Sequence, residues 1–184
     1  MRFKILAAMA VGVLAGLGAG SVLAQGPYAG QQARAIKALS TEETRDLLEG
    51  RGMGLAKAAE LNRYPGPAHL LELAKKLDLS ETDATTIRQV FATMDREARA
   101  LGVEIVAAEG ELDRAFADGK ADTATVEALT AKIGALQGRV RAIHLNAHIA
   151  VRPLLKDETI VRYDALRGYG GADHGGGHTG QRRH

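Results

Sequence analysis

Two histidines four residues apart are the clearest candidates for chemistry in this chain of 184 residues. His144 and His148 lie in the stretch AIHLNAHIAVRPLL, just before Pro153. Four residues are about one helical turn, so on a helix both imidazoles project from the same face. Neutral imidazole is a ligand for Zn, Cu, Ni and Co. The pair is therefore either half of a metal site or the polar edge of an ordinary helix, with His144 beside the core and His148 further out.

Further ligands must come from His, Met, Asp or Glu, because the chain has no cysteine. A transition metal needs three or four ligands. His69 and Glu72 are three residues apart and share a face on a short helix that we expect to fold over the same end of the molecule. The predicted site is His144, His148 and His69, completed by Glu72 or Met53. The alternatives are a structural role for His69 beside the YPGP turn and a packing role for Met53.

The C-terminal segment is a separate signal. Residues 170–184, GGADHGGGHTGQRRH, contain His174, His178 and His184. A Gly-rich segment with almost nothing to bury is expected to be disordered. Such a tail can bind metal loosely or join ligands from a partner chain, and the alternative is a solvated end without function.

The sequence does not match known catalytic motifs. Leu145 stands where the zinc-protease motif H-E-x-x-H requires a glutamate, and we find no P-loop and no Ser-His-Asp pattern. The glycines of GRGMG at 50–54 follow a predicted helix rather than a strand and lack the third glycine of a dinucleotide site. We therefore predict that the protein is not an enzyme.

The first 24 residues have the layout of a secretory signal peptide. Arg2 and Lys4 precede an apolar run, and VLA precedes Gln25 at a suitable cleavage site. We expect export to the periplasm, and an uncleaved membrane anchor is the alternative. Loss of Arg2 and Lys4 leaves 22 basic residues, which equals the 22 acidic ones. This balance gives no indication of nucleic-acid binding.

The remaining sequence predicts an all-α protein, since Ala, Leu, Glu, Arg and Lys dominate and aromatic residues make up only 4%. Residues 25–38 are expected to be a flexible leader. Ser40 and Glu43 form a capping box for a helix to about Glu49. Shorter helices are predicted over 55–62 and 68–77, and Ser80 with Asp83 begins a long one. Pro67 suits the first position of the helix that follows the YPGP turn.

Two apolar seams at spacings of three and four residues indicate a hairpin of long helices that turns near residue 120. Gly102 and Gly138 then lie at one level, which suggests a close backbone approach or a hollow. Pro153 should end the second helix, and a last short helix over 155–169 is expected to have Asp157 as its cap. The seam positions are Ile87, Phe91, Met94, Ala98, Leu101, Ile105, Ala108, Leu112, Ala115, Val126, Leu129, Ile133, Leu136, Val140, Ile143, Ala147, Ala150 and Leu154.

The pattern over residues 39–169 resembles the Spy/CpxP superfamily of secreted helical proteins. LSETD at 79–83 is a degenerate copy of the Leu-Thr-x-x-Gln box of that family. LLKDET at 154–159 is a poorer copy, with Lys156 in place of Thr and Thr159 in place of Gln. The stretch GRGMGLAKAAELNRYPGPAHLLEL and the ending YDALRGY resemble the branch of periplasmic heavy-metal sensors and Spy-like refolding chaperones.

The resemblance implies a hooked antiparallel hairpin with shorter N-terminal and C-terminal helices. It also implies one of two functions. The first expectation is a metal-stress-responsive sensor or buffer that binds a divalent or cuprous ion (Zn, Cu, Ni or Co) and reports to a membrane signalling partner. The alternative is a metal-independent, ATP-independent holdase chaperone for unfolded client proteins. A homodimer is expected in either case, because a thin hairpin leaves one apolar side uncovered.

Overall fold

The computed structural model describes residues 26–169. Residues 26–32 form a small unit of turns, in which the Gln31 side-chain amide donates to the Pro27 carbonyl. The helical domain begins at Ala33. The predicted signal peptide and the His-containing tail lie outside the described residues. Among residues 26–169, no helix has both the length and the apolar character needed to span a membrane.

The domain is all-α, as predicted, and its two longest helices form an antiparallel hairpin. Four shorter helices accompany them, and the residues described contain no β-strand. A 3-10 turn, Gln31–Ala33, precedes the first helix, and another follows the fifth. The helices are α1 Thr41–Leu48, α2 Lys57–Glu60, α3 Pro67–Glu72, α4 Glu81–Ala117, α5 Thr123–Val151 and α6 Asp157–Arg167.

The predicted helix starts at Ser40 and Ser80 are confirmed. The Ser40 hydroxyl accepts from the Glu43 amide at 3.1 Å, and the Glu43 carboxylate accepts from the Ser40 amide at 2.8 Å. These hydrogen bonds lower the pKa of Glu43. The Ser80 hydroxyl likewise accepts from the Asp83 amide at 3.0 Å. The last helix departs from expectation, because its N-cap is Lys156 without a side-chain hydrogen bond and Asp157 is the first helical residue.

The segment between α1 and α4 is less helical than its composition suggests. The predicted helices over 55–62 and 68–77 shorten to four and six residues. Gly50 and Gly54 have φ values of 65° and 75°, a region that glycine enters without steric cost and that breaks a helix. The result is a chain of turns and single helical turns that wraps around one end of the hairpin. Pro67 occupies the first turn of α3, as predicted.

The hairpin turns where the sequence indicates. Gly119 has a φ of 67°, and the Asp122 carboxylate caps α5 by accepting from the Thr125 amide at 2.8 Å. At the other end, α5 stops at Val151, and the 3-10 turn Arg152–Leu154 contains Pro153. Proline has no amide hydrogen for the next helical hydrogen bond, so the sequence by itself predicts that α5 ends here.

The inner face of α5 departs from the predicted seam near Pro153. Ala147 and Val151 are buried, but Ala150 is exposed. His144 and His148 are buried instead, with 4% and 7% of their surfaces exposed. The expectation that His148 lies outside the core is therefore wrong. Helices α2 and α3 pack against α5 here. Because these helices cover α5, a wider strip of its surface is buried than the hairpin alone would bury.

Gly102 is a close-approach position, although its neighbour is not the one expected. A Cβ atom at Gly102 would lie 1.9 Å from the carbonyl oxygen of Leu47, so α1 packs directly on the backbone of α4. A Cβ atom at Gly138 would meet nothing within 4 Å. The two glycines therefore do not share one packing role.

Two apolar clusters hold the domain together. One joins α1 to the middle of the hairpin through Leu47, Leu101, Ile105, Leu136 and Val140. The other gathers α3, α4, α5 and α6 at the end away from the turn, with Leu70, Leu77, Ile87, Val151, Leu155, Ile160 and Tyr163. The candidate site lies beside this second cluster.

Candidate functional site

A cavity of about 610 Å³ lies where the turns after α1 and the start of α3 cover the long hairpin. Its wall is apolar at Phe91 and Met94 and polar at His144 and His148. The Gly-containing turn 49–54 forms another side. Two helices, a loop and a short helix therefore converge on the histidine pair that the sequence singled out.

The His144 ring offers one unpaired nitrogen. Its Nδ1 atom lies 3.0 Å from the carbonyl oxygen of Val140, one turn earlier, and donates to it. In the neutral ring, Nε2 then carries the lone pair. This atom is buried and has no hydrogen-bond partner. A Cβ atom at Gly52 would lie 3.7 Å from Nε2, so the ring edge faces the loop beside the cavity.

His148 is fixed in a similar way by a more distant part of the chain. Its Nδ1 atom lies 2.7 Å from the carbonyl oxygen of Tyr64. The other edge of the ring lies against Gly66, where a Cβ atom would be 2.9 Å from Cε1 and 3.0 Å from Nε2. A larger residue at this position would push the ring away, so glycine leaves the space that the imidazole needs.

The buried carboxylate of Glu60 connects this region to α6 and the segment that follows. Its Oε2 atom accepts from the Gly66 amide at 3.0 Å. Its Oε1 atom accepts from the hydroxyl of Tyr163 and, at 3.2 Å, from that of Tyr169. Arg167 Nε lies 3.8 Å from the same oxygen. A carboxylate with only 9% of the residue exposed is thus surrounded by donors, as a buried charge requires.

Tyr163 serves this network as a protonated donor. The residue is fully buried. Burial, followed by the hydrogen bond to Glu60 and its negative charge, strongly raises the pKa of Tyr163. The phenol therefore keeps its proton and ties α6 to the end of α2.

Sequence reasoning did not assign a role to Glu60, Tyr163 or Tyr169. Glu60 and Tyr163 are 103 residues apart, and neither lies in a motif with a fixed spacing to the other. Glu60 follows Ala58 and Ala59 in a short apolar stretch, which is a weak signal that this acidic residue is buried. Local sequence carried no sign of its partners.

The other predicted ligands are placed differently from one another. His69 lines the cavity, but its Nδ1 atom is 3.3 Å from both the Tyr163 hydroxyl and Glu60 Oε1, and its Nε2 atom is 3.3 Å from an Arg167 nitrogen. Met53 also lines the cavity and is 42% exposed, with a φ of 42°.

Glu72 is exposed and lies away from the residues that line the cavity. Within residues 26–169, no three His, Asp or Glu side chains are grouped closely enough to hold a metal ion. The predicted ligands His174 and His178 lie outside the described residues. Two of the predicted imidazoles, those of His144 and His148, line one cavity in the described part of the chain.

Comparison with protein-family models gave no match. Neither the curated proteins nor the solved structures contain a match to this chain. The resemblance to the Spy/CpxP superfamily thus stays a prediction.

Proposed function

We propose that the protein binds a transition-metal ion in this cavity through the Nε2 atoms of His144 and His148. The observation that supports the proposal most strongly is the buried, unpartnered Nε2 atom of His144. Leaving a buried acceptor without a partner costs about 1–3 kcal/mol. A metal ion bound to the lone pair would offset that cost.

The hydrogen bonds on the far side of the rings support the same proposal. Metal-binding histidines commonly donate their second ring nitrogen to a carbonyl or carboxylate, which fixes the tautomer and the ring orientation. Here both Nδ1 atoms lie within hydrogen-bond distance of backbone carbonyls, at 3.0 Å for His144 and 2.7 Å for His148. Both rings are thus held rigidly before any ion arrives.

The lining indicates the class of ion. Imidazole suits Zn, Cu, Ni and Co, and a thioether adds a preference for Cu(I). Met53 and Met94 both line the cavity. Zn²⁺, Cu⁺, Ni²⁺ and Co²⁺ are therefore the ions to compare, and Mg²⁺ or Ca²⁺, which take oxygen ligands, should not bind there.

The proposed role is that of an exported sensor or buffer of metal stress, with no catalytic step. Export and assembly are separate parts of this proposal. Cleavage before Gln25 gives a defined intact mass for the exported protein, whereas a membrane-bound species that retains Met1 would contradict it. Light scattering of the purified protein should show a homodimer, and a monomer at micromolar concentration would contradict that part.

The decisive experiment is thermal unfolding of the tag-free full-length chain with and without each metal. An ion that binds only the native state raises stability by about 2.7 kcal/mol at a concentration one hundred times its dissociation constant. We expect this increase for at least one of the four ions. His144→Ala and His148→Ala should each abolish it.

His184→Ala provides the matched control, because it removes an imidazole from the chain terminus and should leave the increase unchanged. Absence of metal-dependent stabilisation in the wild-type chain would overturn the proposed function. Stabilisation that persists in both His144→Ala and His148→Ala would place the metal elsewhere and would overturn the proposed site.

A groove on the hairpin supports a second candidate function, that of a metal-independent holdase. It has a volume of about 390 Å³, and apolar side chains such as Val90, Ile143 and Ala150 line it together with polar ones such as Gln89 and Glu97. Ile149 is 57% exposed on the same helix, α5. Suppression of client aggregation in excess chelator would support this function, and Ile143→Asp should then reduce it.

A further inference from the structure

The two imidazoles on α5 leave the proposed metal site short of donors. A transition metal in a protein takes three or four ligands. No third His, Asp or Glu side chain joins the pair within residues 26–169. The ring nitrogens of His69 already contact the Tyr163 hydroxyl and an Arg167 nitrogen, each at 3.3 Å. Thioethers line the cavity and suit Cu⁺, so a divalent ion here still needs nitrogen or oxygen donors from another source.

The cavity is far larger than an ion alone requires. Its volume is about 610 Å³, whereas a water molecule takes up about 30 Å³ in the liquid. Two water ligands on the ion would therefore fill only roughly a tenth of the space. Proteins bind small organic molecules in cavities of about 300–1,000 Å³. The volume thus suits an organic ligand that is bound together with the ion.

One wall of the cavity is apolar. Phe91 and Met94 on α4 line it, and so do Pro67 and Ala68 at the start of α3. An ordered water molecule needs about two to four polar partners, which such a wall does not provide. The wall therefore favours the hydrophobic part of a ligand over solvent.

A cationic side chain lies beside the turn that covers His144. A Cβ atom at Gly52 would lie 3.7 Å from His144 Nε2, and one at Gly54 would lie 3.5 Å from Lys57 Nζ. Residues two apart in sequence are separated by at most about 7 Å. The imidazole and the ammonium group therefore flank one short turn, within the reach of a single small ligand.

The other Arg and Lys side chains on the cavity wall are already paired. A nitrogen of Arg51 lies 2.7 Å from a carboxylate oxygen of Glu49, and Arg99 Nε lies 2.8 Å from Asp95. Lys57 also lines the cavity, is exposed, and forms no ion pair with any residue that the structure describes. Its ammonium group is therefore available to an anionic group of a ligand.

We propose that the cavity binds a divalent ion together with a small carboxylate chelator, which supplies the donors that the two imidazoles lack. This inference rests on the proposed function. The chelator coordinates the ion beside His144 and His148, and its carboxylate faces Lys57. Its apolar part lies against Phe91 and Met94. The ligand class is a compact anion, about the size of an amino acid, with adjacent nitrogen and oxygen donors.

The test is equilibrium dialysis of the tag-free full-length chain with picolinate and, in turn, Ni²⁺, Co²⁺ or Zn²⁺. Picolinate is a pyridine whose carboxylate is next to the ring nitrogen, so it chelates through both groups. Metal analysis and ultraviolet absorbance quantify the ion and the chelator that the protein retains. We expect one picolinate per ion, and we expect the 1:1 complex to bind about tenfold more tightly than the ion alone, because ring burial adds to coordination.

Nicotinate and two lysine variants are the matched controls. Nicotinate has the same charge and ring as picolinate but cannot chelate, so it should not be retained. Lys57→Gln should weaken binding of the picolinate complex about two- to fivefold, the contribution of a partly exposed ion pair, and leave binding of the ion alone unchanged. Lys76→Gln, at an exposed position away from the cavity lining, should match the wild type.

The outcomes separate this inference from the proposed function. If the ion binds through His144 but picolinate is not retained, the inference is overturned and the proposed function stands. If the complex is retained through His144 although the ion alone is not, the inference is confirmed and the bare ion is not the ligand. If none of the three ions is retained under either condition, the inference is overturned and the proposed function depends on Cu⁺ in the unfolding experiment.

Two further results would overturn the inference by showing a different mode of binding. Retention of the picolinate complex by His144→Ala at the affinity of the wild type would place it outside this cavity. Retention of nicotinate as tightly as picolinate would show that the ring and the carboxylate are recognised without chelation.

Discussion

The two halves of the hairpin bury different kinds of groups. We call the half at the end away from the turn, α4 up to Gly102 and α5 from Val140 with the four short helices, the base. We call residues 103–139 the arm. In the base the buried stripe of α5 includes His144 and His148, and a buried carboxylate lies beside them. In the arm the buried positions are apolar or glycine.

The difference follows from what covers each half. In the base, the short helices and the turns beside them bring the Tyr64 carbonyl, the Gly66 amide and two tyrosine hydroxyls to the buried polar groups. In the arm, the packing of α4 on α5 leaves Leu112 and Leu129 only half-buried. A polar group is stable in the interior only where partners reach it, so a site of this chemistry can form in the base and not in the arm.

The largest expected effect comes from removing the charge at the centre of the base. Glu60→Ala deprives two tyrosine hydroxyls and the Gly66 amide of their acceptor, and we expect a loss on the order of 3 kcal/mol. The free energy of unfolding from urea titration measures it. Glu127→Ala, at an exposed position of the arm, should change stability by less than about 0.5 kcal/mol. Equal effects at the two positions would remove the distinction between the halves.

Two alanine substitutions at one level of the hairpin test packing. Gly102→Ala places a Cβ atom 1.9 Å from the Leu47 carbonyl oxygen and should cost about 1–3 kcal/mol as α1 is displaced. Gly138→Ala meets open space and should stabilise α5 by up to about 1 kcal/mol, the difference in helix propensity. Melting temperatures of the two variants should move in opposite directions. A gain in Gly102→Ala would contradict the packing of α1.

The fall in stability at alkaline pH tests the hydrogen bond between Tyr163 and Glu60. Burial and the Glu60 carboxylate raise the pKa of Tyr163 above its ordinary value of about 10, so the folded state holds this proton more tightly than the unfolded state. The resulting stability is complete below about pH 10 and is lost as the pH rises further. We expect Tyr163→Phe to flatten the fall in stability above pH 10. The exposed Tyr28→Phe should leave the profile as in the wild type.

The smallest effect is expected in the arm, at Asp113. Its carboxylate accepts from the Lys37 amide at 3.0 Å, and this hydrogen bond lowers the pKa of Asp113. The contribution is present above the ordinary carboxyl pKa of about 4 and is lost as the pH falls. Asp113→Asn should slightly weaken the pH dependence of the melting temperature between pH 2 and 5. Asp118→Asn is the control at the exposed turn, and a larger change there would refute the assignment.

Local sequence determined the ends of the long helices of this protein and the start of α1. Capping at Ser40 and Ser80, the end of α5 before Pro153 and the turn near Gly119 depend on interactions within a few residues, so they are readable without tertiary structure. The apolar spacing of three and four residues predicted the hairpin for the same reason. The i,i+4 spacing of His144 and His148 also placed both imidazoles on one face.

Only the tertiary structure decided which residues of α5 are buried and which groups contact the two imidazoles. His148 donates to Tyr64, 84 residues earlier, and Glu60 accepts from Tyr163, 103 residues later. No periodicity within α5 indicates that short helices from another part of the chain cover it. The seam therefore predicted Ala150 as an inner position, whereas the packed base buries His148. Burial is a property of the assembled neighbours, and hydrogen-bond partners that are distant in sequence are chosen only when those neighbours meet.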